Sequence, residues 1–486
     1  MSLIQTINAE TTPLNGQSQY SSRNGTFNIV FEISGGANQM IDLSSIRMLS
    51  QVDFLKSNGQ HFNNYNIYSN DIKANAAAGV APAFSVANCP FYDIDSRTAL
   101  SSCINTIIFQ DAESNVLEAL YSYPHLMNKV GPMSLSKDDQ LTWASHIYGI
   151  KSGGRQLQNQ NALNATYDAA IKLYTGLTQS KPMPFSAVRG KLKIIVTLNA
   201  AASALFGGAN VAANMGIGGP QNPANASYFN FNNVKLIYRT LIMDENAPIM
   251  AQGYQYKHFS SLQSTINNSN NQNIYNPNST NAISVLTSFV RSNALNSYNA
   301  NSVASNKLQK DVGGVATDVD IRNINFLKNN VRFPNAFPID ERVYNENNNG
   351  LRNYDTQRSY YFMSTLTPLS QLNNTLIQPS TEGNGTNQCG GFTEYKEPDN
   401  IPVYGVGVRY GNITRIDGTN FTNGQSFLQR IESELDGTLP NEMFSNFLST
   451  KRIVASPQGP VVFNWLGPLI KVILKKFEIF LLKKLI

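Results

Sequence analysis

Charge is what this sequence has least of. Asp, Glu, Lys and Arg make up 14% of its 486 residues, against about a quarter in ordinary soluble chains. Asn, Ser, Thr and Gln carry the polarity instead. A surface covered by further copies of the chain favours that balance, because each charge buried at an interface costs desolvation energy. Cysteine is nearly missing as well. Cys89, Cys103 and Cys389 are odd in number and have no metal-like spacing, so neither a disulfide framework nor a zinc cluster is expected, and folding in a reducing compartment is. The net charge of +5 lies mostly at the C-terminal end, where Lys471, Lys475, Lys476, Lys483 and Lys484 face only Glu478, and the body stands near +1. It has no basic stripe of the sort that neutralises phosphates, which excludes direct sequence-specific nucleic-acid binding. Met1 to Gln19 is polar and has no apolar core of a secretory leader. The Asn-x-Ser/Thr triplets, at Asn24, Asn164 and Asn225 among others, are accordingly read as coincidences of an Asn-rich chain.

Signatures of catalysis are also absent. His61, His125, His146 and His258 stand far apart in the sequence. There is no phosphate loop, nucleophile elbow or zinc-protease helix motif, so no catalytic residue, cofactor or metal is assigned. Gly405-Val406-Gly407 lacks the third glycine and the helix of a nucleotide loop and reads as strand glycines. Asp318 and Asp320 could hold a cation but read as a solvated strand face.

What is present is strand pattern. Phe27, Ile29, Phe31 and Ile33 alternate with Asn28, Val30 and Glu32, the period of a strand with one buried face. Runs rich in β-branched and aromatic residues follow at 41–56, 104–109, 116–121, 191–199 and 234–242. A second set occupies 284–292, 324–333, 359–364, 403–410, 426–435 and 452–463. The Ala/Gly/Asn-rich stretches 74–87 and 200–224 read as long surface insertions. Ala162 to Thr175 offers a short helical possibility, and the polar stretch Gln263–Thr280 reads as a linker or exposed loop. The domain plan is an N-terminal arm (1–25), a first sandwich (26–250), a second sandwich (251–463) and a tail (464–486). Two sandwiches of similar length carry a faint echo: NTIIFQDAESNVLEALYSYP in the first and INFLKNNVRFPNAFP in the second each read as two strands, a polar turn and an aromatic-Pro step.

The tail is the sharpest local signal. Read as a helix, it places Leu466, Leu469, Ile470, Ile473, Leu474, Phe477, Phe480, Leu481 and Leu485 on one broad face and Lys471, Lys475, Glu478 and Lys483 opposite. Lysines interrupt it too often for a spanning helix. An interfacial helix fits, with Trp465 suited to a lipid–water boundary; it docks on an internal membrane or another protein, or packs on the base of its own subunit or a neighbour's.

Three stretches carry a resemblance. SSCINTIIFQDAESNVLEALYSYPHLM from Ser101, FNNVKLIYRTLIMDE from Phe231 and RIVASPQGPVVF from Arg452 are similar, in order and spacing, to segments of double jelly-roll major capsid proteins of the adenovirus-hexon, virophage and polinton-like lineage. The resemblance implies an all-β fold of two tandem jelly-roll β-sandwiches with long inserted loops, followed here by the C-terminal amphipathic helix. It also implies homotrimers with a pseudo-hexagonal outline that tile an icosahedral virion, with penton and minor capsid proteins as partners. The competing readings are a two-domain β-sandwich carbohydrate-binding protein or adhesin, and a β-rich glycoside hydrolase. The sequence lacks the secretory signal that the first needs, and two tryptophans and few carboxylates count against the second.

Overall fold

The computed structural model describes residues 3–23, 28–55, 59, 92–94, 99–127, 166–201, 205–207, 228–244, 253–266, 270–275, 282–291, 321–328, 331–332, 339–340, 404–407, 427–433, 441–456 and 459–464. In the first half the strands are β1 (Leu3–Thr11), β2 (Gln19–Ser21), β3 (Asn28–Ser34), β4 (Gln39–Leu55), β5 (Tyr92–Ile94), β6 (Ile104–Gln110), β7 (Val116–Leu120), β8 (Tyr167–Lys172), β9 (Met183–Pro184), β10 (Lys191–Leu198), β11 (Leu205–Gly207) and β12 (Tyr228–Met243). One sheet runs β1-β12-β4-β8 and a second runs β7-β6-β10-β3, while β5 and β11 pair with each other.

The alternation in the sequence builds these sheets directly. In β3 and β10, Ile29, Phe31, Ile33, Leu192, Ile194 and Val196 are buried while the residues between them are not. The inward row is continuous across strands: Phe31 pairs with Ile194, and Ile194 with Phe109. Burial of aromatic and branched side chains from both sheets forms one core.

β4 shows a device that its sequence run conceals. Ile41 and Leu43 face inward on one phase, whereas Ile46, Met48, Val52 and Phe54 face inward on the other. The phase changes at Ser44-Ser45, where the pairing with β12 shifts register between Ile237 and Arg239. Between these pairs β12 advances two residues and β4 five, and this odd excess turns every later side chain to the opposite face, so the irregularity is what keeps the whole 17-residue strand productive. Local hydrogen bonds hold it. Asp42 Oδ1 accepts the Ser44 N–H and hydroxyl at 3.1 and 2.6 Å, and Ser45 Oγ accepts the Arg239 N–H at 2.8 Å.

The second half contains β13 (Tyr254–Ile266), β14 (Asn270–Tyr275), β15 (Ala282–Arg291), β16 (Ile321–Lys328), β17 (Val331–Arg332), β18 (Ile339–Asp340), β19 (Tyr404–Gly407), β20 (Phe427–Ser433), β21 (Asn441–Ser456) and β22 (Gly459–Asn464). Here β13-β21-β15-β19, with β22 also on β21, continue the β7-β6-β10-β3 sheet through the β13–β7 pairing into one nine-stranded sheet, and β14-β20-β16-β17, with β18 on β16, form a separate one. The two echo segments fall on the hairpins β6–β7 and β16–β17.

Three readings of the sequence are corrected. The stretch 263–280 is not a linker throughout, because β13 continues to Ile266 and β14 occupies 270–275, paired with β20. Ladder hydrogen bonds use the backbone, so Asn- and Ser-rich strands form wherever a partner strand is supplied. Within the helical possibility at 162–175, residues 162–165 lie outside the described residues and Tyr167–Lys172 is strand β8. Its alanines carry no strand signal, but Ala169, Ile171 and Leu173 are buried at every second position. The run 452–463 is two strands, since Arg452 of β21 pairs with Phe463 of β22. In addition, β1, within the segment read as an arm, pairs along β12 from Leu3–Met243 to Thr11–Leu236. Insertion 74–87 and the run 359–364 lie outside the described residues, as does most of 200–224.

The Tyr123-Pro124 step that closes the first hairpin has a structural task. Tyr123 is buried, and its hydroxyl oxygen accepts the Tyr174 N–H at 2.9 Å. Replacing Tyr123 by Phe leaves the ring in place and removes the acceptor. We expect a loss of about 1–3 kcal/mol in chemical denaturation, the cost of a buried amide left without its partner.

Candidate functional site at the seam between the halves

The two halves meet where β13 lies beside β7, in parallel at Ser260–Ala119. β7 has an unusual composition for a strand in this position. In the sequence Val-Leu-Glu-Ala-Leu its central residue, Glu118, pairs with Phe109 and so extends the row Phe31–Ile194–Phe109 with a carboxylate. Glu118 is 1% exposed.

A buried carboxylate requires donors, and this one has them from both halves. Glu118 Oε1 accepts the N–H of Gly176 at 2.9 Å and that of Phe259 at 2.7 Å, and Oε2 accepts the N–H of Leu177 at 2.8 Å. Gly176 and Leu177 belong to the 3-10 turn after β8, and Phe259 belongs to β13. Burial pushes the Glu118 carboxyl above its ordinary range, while these amides and the Thr175 side chain pull it back. The turn itself is fixed by Thr175 and Thr178, whose side chains bond each other's amide or carbonyl.

Other contacts reinforce the seam. The Tyr256 hydroxyl donates to the Leu117 carbonyl at 3.0 Å, the Tyr254 hydroxyl to the Lys181 carbonyl at 2.6 Å, and the Lys257 N–H to Ser180 Oγ at 2.9 Å. His125 stacks on Phe444 with ring centroids 3.6 Å apart. At the far end Arg189 pairs with Asp111 and Glu113 in the β6–β7 turn and donates to the Pro460 carbonyl of β22 at 3.2 Å. Asp111 in turn accepts the N–H groups of Glu113 and Asn115, which shapes a turn with Ser114 at a φ of 67°.

Gly176 marks how closely the halves approach. A Cβ at this position would lie 2.5 Å from His258 Cα and 2.7 Å from His258 N. The φ of −60° is open to any residue, so space alone requires glycine here.

His258 is itself buried, with Ser449 Oγ 3.2 Å from its ring nitrogens and Ser260 Oγ 3.4 Å away. Burial, then the charge of Lys451, holds its imidazole well below the usual range. In the unfolded chain the ring titrates near 6.5. Below that pH the unfolded state therefore binds a proton that the folded state refuses, and stability is lost as pH falls. We expect the His258 contribution to reach a slope of about 1.4 kcal/mol per pH unit well below pH 6.5, and His258→Gln to flatten that part of a urea-denaturation series between pH 7.5 and 5.5.

Of the residues singled out in the sequence, His125 and His258 come to the seam, where they pack. Cys103 is buried, and burial pushes its thiol well up, so it behaves as a small apolar side chain. Gly405 and Gly407 sit in β19 opposite Leu286 and Ser284 of β15, as strand glycines. His61, His146, Cys89, Cys389, Asp318 and Asp320 lie outside the described residues. So does the whole tail set: Trp465, Leu466, Leu469, Ile470, Lys471, Ile473, Leu474, Lys475, Phe477, Phe480, Leu481 and Lys483. β22 runs through Asn464, paired with Lys451. Among the described residues no three His, Cys, Asp or Glu side chains are grouped as metal ligands. Sequence reasoning missed Glu118 and Gly176. The signal for the first was an acid between Leu117 and Leu120 in an otherwise apolar strand; the second had none.

One nine-stranded sheet thus runs through both halves across a polar seam, with a six-stranded sheet in the first half and a five-stranded sheet in the second. No family model and no curated protein sequence matches the chain. Solved structures do. The Faustovirus major capsid protein aligns with a TM-score of 0.52 at 9% identity, covering 92% of this chain and 90% of that one. The Sputnik virophage structure aligns at 0.48 and 11% identity, covering 95% and 89%, and the PBCV-1 virus capsid at 0.48 and 11%, covering 93% and 95%. The Faustovirus likeness, over nine-tenths of both chains, establishes the fold as the one that the three sequence stretches implied.

Proposed function

We propose that this chain is the major capsid protein of an icosahedral virus and acts by assembly, without catalysis. The observation that carries the reading is the double jelly-roll fold shared with the Faustovirus major capsid protein along almost the full length of both chains. Composition supports it. A low-charge surface suits a subunit whose side faces are covered by neighbours. Two similar sandwiches per chain give a homotrimer six near-equivalent edges, from which a pseudo-hexagonal capsomer tiles a shell. The domain plan follows: arm 1–25, jelly rolls 26–250 and 251–463, and tail 464–486. Penton and minor capsid proteins complete the shell, and the protein resides in the virion.

The tail is the inner contact in this proposal. Its apolar face, Leu466 to Leu481, and its lysines, Lys471, Lys475 and Lys483, dock as an amphipathic helix on an internal membrane. Deleting 465–486 is expected to abolish flotation of the protein with vesicles containing anionic lipid. Flotation unchanged by the deletion contradicts the membrane role and leaves a protein partner. For the capsid role, gradient-purified particles are expected to hold this chain as their most abundant protein; particles without it contradict the reading.

A further inference from the structure

The buried carboxylate at the seam has no place in an account of assembly by shape alone, and its geometry gives it a task. We propose that Glu118 is a lock between the two jelly rolls: one side chain that holds the turn at Gly176–Leu177 and strand β13 to β7, so that the halves open and close as one unit. This does not depend on the capsid reading.

Three facts carry the proposal. First, the bonds converge from separate parts of the chain. Two amides come from the turn after β8 and one from β13, and all three are buried with their acceptor. Loss of the carboxylate strands three amides together, which couples their exposure to solvent. Second, the turn is pressed against β13, because a Cβ on Gly176 would lie 2.5 Å from His258 Cα. Third, the charged and titratable groups that face this first-half carboxylate come from the second half. Lys451 on β21 is attracted to the Glu118 charge, and Tyr256 and His258 line β13 on the same seam. Lys257 and Tyr254 complete that side. An anion at this point is therefore matched by oriented N–H groups and a nearby ammonium.

The test is amide hydrogen exchange resolved at single residues, on the full chain. In the wild type, Gly176, Leu177 and Phe259 are expected to exchange at one common rate, as slow as core amides of β6 and β10. Seam amides that exchange faster than that core, or at unrelated rates, overturn the lock. In Glu118→Gln the side chain keeps its size and one acceptor oxygen, but its NH2 must face at least one donor. Exchange at the three amides is expected to accelerate roughly 10–100-fold, while amides on the row Phe31–Ile194 accelerate less than about threefold. Equal acceleration everywhere identifies Glu118 as an ordinary stabilising residue and contradicts the proposal, as does no acceleration at the three sites. Where the variant does not fold, the wild-type comparison decides alone.

Discussion

Replacing Gly176 by Ala is expected to destabilise the protein by about 3 kcal/mol, at the upper end of the overpacking range. The added methyl meets backbone atoms of His258 at 2.5–2.8 Å, and backbone in the middle of a paired strand cannot step aside as a flexible side chain can. Relief requires the turn at 176–179 to withdraw from β13. That movement pulls the Gly176 and Leu177 amides off Glu118 and leaves a buried carboxylate short of donors. Gly36→Ala is the control. A Cβ there approaches nothing nearer than 3.5 Å, so the substitution is expected to be neutral or to gain a few tenths of a kcal/mol from a less flexible unfolded chain. Urea midpoints of the two variants, compared at unchanged slope, check the difference.

The second large effect is at Phe31. Its side chain is buried on β3 and joins the inward row that continues through Ile194 to Phe109 and Glu118. Phe31→Ala is expected to cost about 3–5 kcal/mol, the transfer of a ring to water plus the cavity it leaves. Its chain neighbour supplies the contrast. Glu32 points to the other face and pairs with Lys191 at 2.8 Å, half of that pair in solvent. Glu32→Ala is expected to cost less than about 1 kcal/mol. Two adjacent residues thus differ several-fold in effect, and a denaturation series on both variants reads out which face of β3 is inside.

That contrast also explains how much was visible in the sequence. Where one face is buried and the other wet, as in β3 and β10, composition alternates and the strand can be read directly. Where pairing rests on the backbone, as in β14 with its Asn, Gln and Tyr, side chains report nothing about the ladder. β8 was hidden because alanine fits a crowded interior on either a strand or a helix. The bulge in β4 was hidden for a different reason. Its effect is a phase change within one apolar run, visible only once both phases are seen to be buried. The seam was the least legible feature. Glu118, Gly176 and Phe259 are far apart in the chain, and only the parallel approach of β13 to β7 brings them together.

Under the proposed capsid role the seam also bears on assembly. A lattice built from two-domain subunits needs a fixed angle between the domains, because an error at each joint accumulates over the shell. Contacts at both ends of the junction, through Glu118 and through Arg189 to Pro460, supply such a fixed joint. Each engages backbone atoms of the opposite half, which constrains position more narrowly than contact between side-chain tips.

The proposed shell role requires this chain to form trimers. Multi-angle light scattering on the purified full-length protein tests it most directly, with images of the same peak in negative stain. The account predicts a single species of three times 53.5 kDa with a six-sided outline. A monodisperse monomer that stays monomeric at high concentration contradicts it.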